Sequence, residues 1–556
     1  MEIRQLSATL SVSAQILPSD MEAIKAAGFK SIICNRPDGE GADQPVFSTI
    51  AQAAEAVGLR PTYLPAESGK VADAQAVEFA GLMRELPHPV LAYCRTGMRS
   101  ATFWALTEAA AGQPALHILE RANHAGFDLK GVVRRIVNGG KTPVEMADAS
   151  HAVVIIGGGA AGAAVASSLR ARQPDLDIAI IDPSDHHYYQ PGWTLVGAGV
   201  FNAAQTERAM SSVIPQGVHW IKTAVAAFEP ERNAVVLDGC RVVRYEQLVV
   251  CPGLKLNWQG VSGLSDTLGR NGVTSNYGYN LAPYTWELVQ KLRGGRVLFS
   301  QPPMPIKCAG APQKAMYLSA DHWRRAGTLK NIDIQFCNAG AVLFGVAAYV
   351  PALMEYIKTY GIQLQFGHTL TAVDGERKQA TFSRALPDGT KDSVTLEFDM
   401  LHAVPPQIAP DFIRVSPLAD AAGWVEVDPG TLQHPRFSNI FALGDACNAP
   451  NAKTAAAARK QAPVVAHNLL AQRGAAKGLA RYDGYGSCPL TVERGKIVLA
   501  EFLYGGKLAP SFPSWLVDGT RPSRMAWWLK ERILPPLYWH GMLKGREWLA
   551  QPEIVD

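Results

Sequence analysis

The sequence V-V-I-I-G-G-G-A-A-G occupies residues 153–162 and decides the fold of the chain. An apolar run followed by glycines at this spacing is typical of a buried parallel strand that turns tightly into a helix, here reaching about Arg172. A second apolar run, Ile178–Ile181, ends at Asp182, where a carboxylate binds an adenosine ribose without a 2′-phosphate. We therefore predict a Rossmann-type fold for FAD or NAD. The predicted cofactor residues are Gly157, Gly159, Ala160, Ala161, Gly162 and Asp182.

The stretch N-I-F-A-L-G-D-A-C-N-A-P-N-A-K-T at 439–454 predicts a return of the chain to this fold. Its short apolar strand stops at Gly444-Asp445, and an Ala-rich helix follows to about Leu470. In flavoproteins with two dinucleotide-binding folds, such a strand carries a carboxylate to the ribityl hydroxyls of the flavin. The strand-glycine turn at 247–253 resembles the one that closes the FAD domain in the same proteins. The cofactor residues predicted from these stretches are Gly253, Gly444, Asp445, Lys453 and Thr454.

A second nucleotide-type fold is predicted to begin with the strand Arg296–Ser300, but it lacks the glycine loop. The strand is followed by Q-P-P-M-P-I-K-C-A-G-A-P at 301–312. Pro302, Pro303 and Pro305 stiffen the start of this segment and remove N–H donors, which makes it a poor site for a pyrophosphate. Cys308 stands where a nicotinamide-binding loop is expected. Reducing equivalents are therefore predicted to reach the flavin through a thiol.

Three long motifs closely resemble sulfide:quinone oxidoreductases of the mitochondrial-like branch, and the resemblance covers about 151–550. They are Y-Y-Q-P-G-W-T-L-V-G-A-G at 188–199, K-C-A-G-A-P-Q-K at 307–314, and G-D-A-C at 444–447 with K-T-A-A-A at 453–457. The resemblance implies FAD as cofactor and a redox disulfide between Cys308 and Cys447. It implies that hydrosulfide attacks this disulfide, that Cys447 keeps the persulfide, and that Cys308 passes two electrons to the flavin.

The resemblance also implies partners, namely sulfide, ubiquinone or a similar quinone, and a small thiol such as glutathione or coenzyme A as sulfur acceptor. Lys307 and Lys453 adjoin the thiol segments, where a lysine either stabilises anionic sulfur or lies solvated at the surface. Cys251 is a further candidate thiol, although packing is the more common role for such a residue. His402 is interpreted as a core histidine.

The first 140 residues are predicted to form a small α/β domain with a reactive cysteine. The strand at 89–93 runs into C-R-T-G-M-R-S at 94–100, ahead of a helix from Ala101 to Ala111. A cysteine at a helix N-terminus, beside a glycine and arginines, suits an anion or persulfide loop, so Cys94 and Arg99 are predicted to be catalytic. The segment resembles the cysteine-phosphatase-like domain of β-lactamase-hydrolase-like proteins, with N-R-P-D-G-E at 35–40 as its second motif. Four residues separate Cys94 from Arg99, as in the rhodanese loop, whereas the phosphatase loop has five. This spacing favours sulfur transfer over phosphate-ester hydrolysis.

The C-terminal region is predicted to meet a membrane surface. Five of the twelve tryptophans follow residue 514, mixed with arginines and lysines, as in helices that lie in the headgroup plane. The alternative is a packed C-terminal cap or dimer surface. The candidate quinone and membrane residues are Phe502, Tyr504, Trp527, Trp528 and Trp539. Without a recognisable signal peptide or spanning helix, we predict a peripheral, monotopic protein on the cytoplasmic face of the inner membrane.

Composition sets the outer limits. The chain has 556 residues and a net charge of +4, and this small charge argues against nucleic-acid binding. None of its eight cysteines forms a C-x-x-C pair, so we predict no metal site. The competing functions are a type II NADH:quinone oxidoreductase, disfavoured by the missing second glycine loop, and a non-enzymatic flavin redox sensor. The predicted division is 1–140 (phosphatase- or rhodanese-like domain), 141–150 (linker), 151–260 with 366–480 (FAD domain), 261–365 (second fold) and 481–556 (quinone and membrane region).

Overall fold

A computed structural model describes residues 2–41, 44–143, 149–238, 241–386 and 388–555. They form two compact units. The first comprises 1–150 with 223–244 and 415–417, and the second comprises 151–222, 245–414 and 418–556. Residues 144–148 of the predicted linker, and Cys240, lie outside the described residues.

The first unit contains a five-stranded sheet flanked by helices, which confirms the predicted small α/β domain. Its central strands are apolar and buried because both faces of a mostly parallel sheet are covered by helices. In sheet order the strands are Ile3–Gln5, Leu10–Ser13, Val90–Tyr93, Ser31–Cys34 and Arg60–Tyr63, and only the first is antiparallel to its neighbour. The longer helices are Phe47–Ala56, Asp73–Glu85, Met98–Ala110 and Ala115–His124.

The first dinucleotide fold is present as predicted. Parallel pairing joins strands that are distant in sequence, and Leu248 lies opposite Ile440, which brings the Gly444-Asp445 turn beside Cys251–Gly253. The strands are Ala149–Ile156, Ile178–Ile181, His219–Ile221, Val242–Val250 and Ile440–Ala442. The helices Ala160–Arg172 and Ala455–Gln472 pack on each other below the glycine loop.

The second fold is a five-stranded parallel sheet, and it extends further along the chain than predicted. In sheet order the strands are Val273–Thr274, Met400–His402, Gly295–Gln301, Ile332–Asn338 and Gln363–Phe366. The main helices are Ala282–Lys291, Ala311–Arg325 and Val350–Tyr360. Because Met400–His402 fills the position beside Gly295–Gln301, the chain is still in the second sheet at residue 402.

The predicted return to the FAD domain at residue 366 is therefore wrong. His368–Asp374, Gln379–Ala385 and Lys391–Glu397 form a three-stranded antiparallel sheet. Leu370 and Phe382 on this sheet pack in one core with Leu298 and Leu401 of the second fold. The apolar face of an antiparallel sheet needs a partner layer, and the second fold supplies it.

The C-terminal region adds a hairpin and a series of short helical turns. The hairpin strands Gly486–Glu493 and Lys496–Phe502 share the core of the second fold through Leu490 and Val498. The tail continues through Arg524–Trp528, Leu529–Ile533, Leu534–Pro536, Leu537–Gly541 and Met542–Lys544. In the part of the chain that the structure describes, no helix combines the length and apolarity that crossing a bilayer requires.

Candidate functional site

The glycine loop has the geometry that a dinucleotide requires. Gly157 has φ of 98°, and a Cβ on Gly162 would lie 1.8 Å from the Gly157 carbonyl oxygen, so neither position accepts a side chain. A Cβ on Gly159, in contrast, would meet nothing within 4 Å, which leaves open space at the start of the helix that Ala160 and Ala161 begin. The Gly158 N–H donates to Asp182 Oδ2 at 2.7 Å. The predicted loop residues and their acid are thus brought together around open space at a helix N-terminus.

The Gly444 turn supplies the second wall of this site. Gly253 has φ of 80° and open space beside it. The Gly444 N–H donates to Gln461 Oε1 at 2.8 Å, while Gln461 Nε2 is buried without a partner. Buried amide donors are normally hydrogen-bonded, so this N–H suits an acceptor atom of a bound flavin. Sequence reasoning missed Gln461 because it lies within an ordinary helix.

Asp445 and the residues before the helix complete the wall. Burial raises the pKa of the Asp445 carboxyl. Thr454 caps the helix Ala455–Gln472, with its Oγ1 accepting the Ala457 N–H at 3.1 Å. The residues around the glycine loop and the Gly444 turn therefore fit FAD.

Lys453 connects the two predicted redox cysteines. The Cys308 N–H donates to the Lys453 carbonyl at 2.8 Å, and Lys307 pairs with Lys453 in a short parallel bridge. The Lys453 Nζ donates to the carbonyl oxygens of Cys447, at 2.7 Å, and Asp445. The segments of Cys308 and Cys447, 139 positions apart in the chain, therefore meet at one residue. The seven cysteines within the described ranges are free thiols.

Cys308 lies in a strained and positively charged environment. Its φ is 50°, a left-handed value that a non-glycine residue rarely adopts outside functional sites. The Lys314 Nζ donates to Cys308 Sγ at 3.0 Å, and Cys488 Sγ lies 3.8 Å away. The Cys488 thiol and the Lys314 ammonium hold the pKa of Cys308 well below its usual value, although burial opposes them. Cys308 is thus set up as a thiolate.

Neither Cys488 nor Lys314 was assigned a role from the sequence. Lys314 stands in the quoted 307–314 motif, six residues after Cys308 and in the first turn of the helix that follows, and that position was the available signal. Cys488 carries no local signal, because it reaches the site from a hairpin 180 residues away.

Two further lysines near the site, Lys307 and Lys530, have pKa values lowered by burial. Lys307 Nζ donates to Gln190 Oε1 at 2.6 Å and faces the Trp193 ring, and burial lowers the pKa of Lys307. Burial, and to a lesser extent the charge of Lys314, lowers the pKa of Lys530 to about 7. Of these lysines, Lys314 is the one hydrogen-bonded to a thiol in the described structure.

Replacing Lys314 with methionine should raise the pKa of the Cys308 thiol. Loss of an adjacent cation raises a thiol pKa by about one to three pH units, so alkylation near pH 7 should slow by about tenfold or more. The measurement is the pH dependence of Cys308 alkylation by iodoacetamide in the reduced protein, read by peptide mass spectrometry. Lys307→Met is the matched comparison, since that ammonium binds Gln190 and interacts with Cys308 by charge alone, and it should raise the Cys308 pKa less than Lys314→Met. Equal effects of the two variants would contradict the assignment.

Cys251 and His402 have packing environments. Cys251 Sγ would lie 3.3 Å from a Cβ on Gly162, and burial raises the thiol pKa. His402 Nε2 accepts the Asn276 N–H at 2.9 Å, and burial lowers the pKa of the imidazole to about 4. Both observations agree with structural roles.

The aromatic residues predicted for quinone and membrane contact differ in exposure. Trp528 is 56% exposed, whereas Trp539 is 6% exposed, with the Arg208 guanidinium stacked on its ring. Trp527 is buried too, and its Nε1 donates to Glu531. Phe502 packs edge-on against Phe344, and the Tyr504 hydroxyl donates to the Pro429 carbonyl. Their roles stay predictions, with Trp528 the best placed for direct membrane contact.

The Cys94 loop has the predicted form, with an unexpected acid. The Gly97 N–H donates to the buried Cys94 Sγ at 3.1 Å. The Arg99 guanidinium donates to Glu40 Oε2 at 2.7 Å and to the Ala66 carbonyl at 2.8 Å. Arg36 donates to the same Glu40 oxygen at 2.8 Å. The two arginines, Arg99 foremost, lower the pKa of the Glu40 carboxyl. The guanidinium groups of Arg36 and Arg99 are thus already bonded to the Glu40 carboxylate.

The expectation of no metal site stays a prediction. His151, Asp177 and His219 place ligand atoms within 4.8 Å of one another at the start of three neighbouring strands. Asp177 and His219 are exposed, and the His151–Asp177 contact is an ordinary surface pair.

Two nucleotide-type folds, a flavin site and a cysteine pair without a second glycine loop define an FAD-dependent disulfide oxidoreductase. The family described as "Pyridine nucleotide-disulphide oxidoreductase" matches residues 151–285. The mitochondrial sulfide:quinone oxidoreductase of Dictyostelium discoideum is 43% identical over 407 residues, which cover 73% of this chain and 88% of the relative. The mouse mitochondrial enzyme is 36% identical and covers 71% and 87% respectively. The chain belongs to the sulfide:quinone oxidoreductase family.

A solved structure and a second family model complete the comparison. The sulfide:quinone oxidoreductase of Aquifex aeolicus superposes with a TM-score of 0.60 at 18% identity, over 71% of this chain and 92% of that one, which shows a shared fold. Residues 2–111 match the family described as "Beta-lactamase hydrolase-like protein, phosphatase-like domain". That match confirms the family expected for the N-terminal domain.

Proposed function

We propose that this flavoprotein oxidises sulfide to sulfane sulfur and passes the electrons to a membrane quinone. The observation that carries the proposal is the half-buried Cys308 thiol, bonded to the Lys314 ammonium and joined through Lys453 to the Cys447 segment. Relatives named as sulfide:quinone oxidoreductases, at 36–43% identity, support it.

The first chemical step is a thiol–disulfide exchange. Hydrosulfide attacks Cys447 Sγ in a Cys308–Cys447 disulfide, which forms a Cys447 persulfide and releases Cys308 as a thiolate. The Lys314 ammonium stabilises that thiolate, and the Lys453 carbonyl and ammonium, bonded to the Cys308 N–H and the Cys447 carbonyl, keep both segments in register. The residues around the glycine loop and the Gly444 turn would hold FAD, which would supply the two-electron acceptor for the re-formation of the Cys308–Cys447 disulfide after the sulfur has left, with quinone as the final acceptor.

The second step transfers the sulfur. A small thiol, for which we propose glutathione or coenzyme A, attacks the outer sulfur of the Cys447 persulfide and leaves as a persulfide itself. Overall, hydrogen sulfide, thiol and quinone give thiol persulfide and quinol, so atoms and electrons balance. Lys453, bound to the Cys447 carbonyl, keeps this loop in place during the transfer.

The packing around the second fold supports a thiol donor over NADH. The helix Ala311–Arg325 begins after Gly310, where a pyrophosphate would sit in a nucleotide-binding fold. A Cβ on Gly310 would lie 2.4 Å from Leu490 and 2.5 Å from Cys488, so the hairpin fills this position. The similarity to sulfide:quinone oxidoreductases supports an enzyme over a non-enzymatic flavin redox sensor.

A membrane location follows from the quinone substrate. We propose peripheral attachment on the cytoplasmic face of the inner membrane through the C-terminal region, 481–556. Trp515 is 83% exposed and Trp528 56%, and Trp548 is exposed as well. Exposed tryptophans are energetically favourable in the headgroup layer.

For the N-terminal domain, residues 1–140, we propose persulfide handling, with Cys94 as the sulfur carrier. The bond from the Gly97 N–H to Cys94 Sγ suits a thiolate or persulfide. The Glu40 carboxylate bonds to both Arg36 and Arg99, so it offsets one of their two positive charges and competes with a phosphate dianion for both guanidinium groups. This charge balance supports sulfur transfer over phosphate hydrolysis, and the linker at 141–150 remains part of the proposal.

Replacing Glu40 with glutamine should create phosphate affinity. The change frees two guanidinium groups, and each charge-assisted bond contributes about 1.5–3 kcal/mol, so inorganic phosphate should bind at least about tenfold more tightly. Isothermal titration of the full-length protein with phosphate measures this. Glu67→Gln, which removes an exposed acid paired with Lys70, is the control and should have no effect. Tight phosphate binding by the unmodified protein would favour the phosphatase alternative.

Sulfide titration of the purified holoenzyme tests the main proposal. Sulfide added without oxygen should bleach the visible flavin absorbance within the mixing time. A flavin that stays oxidised with sulfide would contradict the proposal.

A further inference from the structure

Cys488 is in direct sulfur-to-sulfur contact with Cys308. It belongs to the strand Gly486–Glu493, is 2% exposed, and its Sγ is 3.8 Å from Cys308 Sγ. A Cβ on Gly310 would come within 2.5 Å of Cys488 Sγ, so this sulfur faces the backbone of the Cys308 loop as well as its side chain. The Cys488 sulfur therefore contacts the Cys308 loop whichever rotamer Cys308 adopts.

Two buried lysines act electrostatically on the two sulfurs. Lys314 Nζ lies 3.0 Å from Cys308 Sγ, and both Lys314 and Lys530 are buried. The charges of both lysines lower the pKa of either cysteine, but the neighbouring Cys308 thiol and burial together hold the pKa of Cys488 well above its usual value while Cys308 is not in a disulfide. Thiol–disulfide exchange needs an attacking thiolate and access to a sulfur of the disulfide. The hairpin provides a second thiol that meets the condition of access.

We propose that Cys488 is a third redox thiol of this site, which exchanges with the Cys308–Cys447 disulfide to form an alternative Cys308–Cys488 disulfide. This inference rests on the proposed function, because it takes the Cys308–Cys447 disulfide as its starting state.

The exchange balances without an added oxidant. Cys488 Sγ attacks Cys308 Sγ, the Cys308–Cys447 bond breaks, and the proton lost by Cys488 ends on Cys447. One disulfide replaces another, so no electrons leave the three sulfurs. The sulfurs must approach from 3.8 Å to the bonded distance of about 2.05 Å. Once Cys308 is in a disulfide it no longer binds the Lys314 ammonium as a thiolate, and that cation is then free to stabilise Cys488.

The alternative disulfide has a functional consequence. Cys447 becomes a free thiol, so it cannot take sulfur from hydrosulfide in this state, while the oxidising equivalents stay stored at Cys308. Reverse attack by Cys447 restores the active disulfide. The three thiols thus provide a reversible resting state that needs no separate oxidant or reductant.

Disulfide mapping tests the inference in the full-length holoenzyme. The Cys447→Ser variant is treated with diamide, alkylated and digested without reduction. We expect a peptide pair that joins Cys308 to Cys488, and loss of alkylation at both positions. Adding Cys251→Ser should leave the pair intact, whereas adding Cys488→Ser should abolish it. Full alkylation of Cys308 and Cys488 after diamide would overturn the inference.

The unmodified enzyme separates this inference from the proposed function. Held oxidised without sulfide or oxygen, it should yield both the Cys308–Cys447 and the Cys308–Cys488 peptide pairs. The first pair alone would overturn the exchange and leave the proposed function intact. Absence of the first pair, together with a flavin that sulfide does not bleach, would overturn the proposed function itself.

Discussion

Replacing Cys308 or Cys447 with serine should abolish sulfide-dependent quinone reduction. A hydroxyl neither forms the disulfide that hydrosulfide attacks nor carries a persulfide, so no slower form of the same path remains. Loss of a catalytic nucleophile reduces turnover by about a thousandfold or more. The measurement is the initial rate of quinone reduction with sulfide, in variants whose bound flavin has been quantified. Both variants should retain flavin, because the glycine loop and Gly444 turn are unchanged.

The control for this prediction is Cys337→Ala. Cys337 is buried in the strand Ile332–Asn338 and packs in the core of the second fold. Its replacement removes a thiol without touching the Cys308 site, so turnover per bound flavin should stay within about twofold, as for a small packing change. Retained activity in Cys447→Ser would mean that another thiol accepts the sulfur.

Replacing both Trp515 and Trp528 with serine should release the protein from membranes. Each exposed tryptophan contributes about 2 kcal/mol when it inserts among the lipids, so the double variant should partition about a thousandfold less. Flotation with vesicles measures this partition. Activity with a short-chain, water-soluble quinone should survive, whereas reduction of membrane-embedded quinone should fall.

Point variants are preferable to truncation after Phe512. The segment beyond that residue contributes Ala526 to a buried core, places Lys530 near Cys308, and donates the Tyr538 hydroxyl as a partner of His187. Its removal would therefore disturb the catalytic site as well as any membrane contact. Val77→Ser removes an exposed apolar side chain from the N-terminal unit and serves as control. Unchanged flotation of the tryptophan variant would contradict the proposed attachment.

Local sequence patterns were sufficient for the folds and much of the flavin site. A strand, a glycine turn and an acid at a fixed spacing specify the 153–182 unit because the constraint is steric and short-range. The Gly444 turn could also be predicted from the local sequence, since few kinds of structure contain an apolar strand that ends in Gly-Asp. The pairing of Cys308 with Cys447 depended instead on resemblance to a family, and the structure adds the Lys453 contacts that bring their segments together.

Contacts between distant segments were not readable from the sequence. Cys488 reaches Cys308 from a hairpin 180 residues away, and Gln461 approaches Gly444 from inside a helix with no unusual pattern. The end of the second fold was misplaced at 365 because Met400–His402 joins its sheet by a long-range parallel pairing. Glu40 was seen as part of a motif, but its bonds to Arg36 and Arg99 depend on the folded loop.

The choice of electron donor tests the central claim most directly. The purified holoenzyme is mixed with a short-chain ubiquinone, and the quinone absorbance is followed after addition of sulfide or, in a parallel sample, NADH. We expect rapid reduction with sulfide and none with NADH, because the position of the second nucleotide loop is filled by the hairpin strand Gly486–Glu493. Reduction with NADH and none with sulfide would contradict it, and would mean that the proline-rich segment at 301–312 binds a nucleotide.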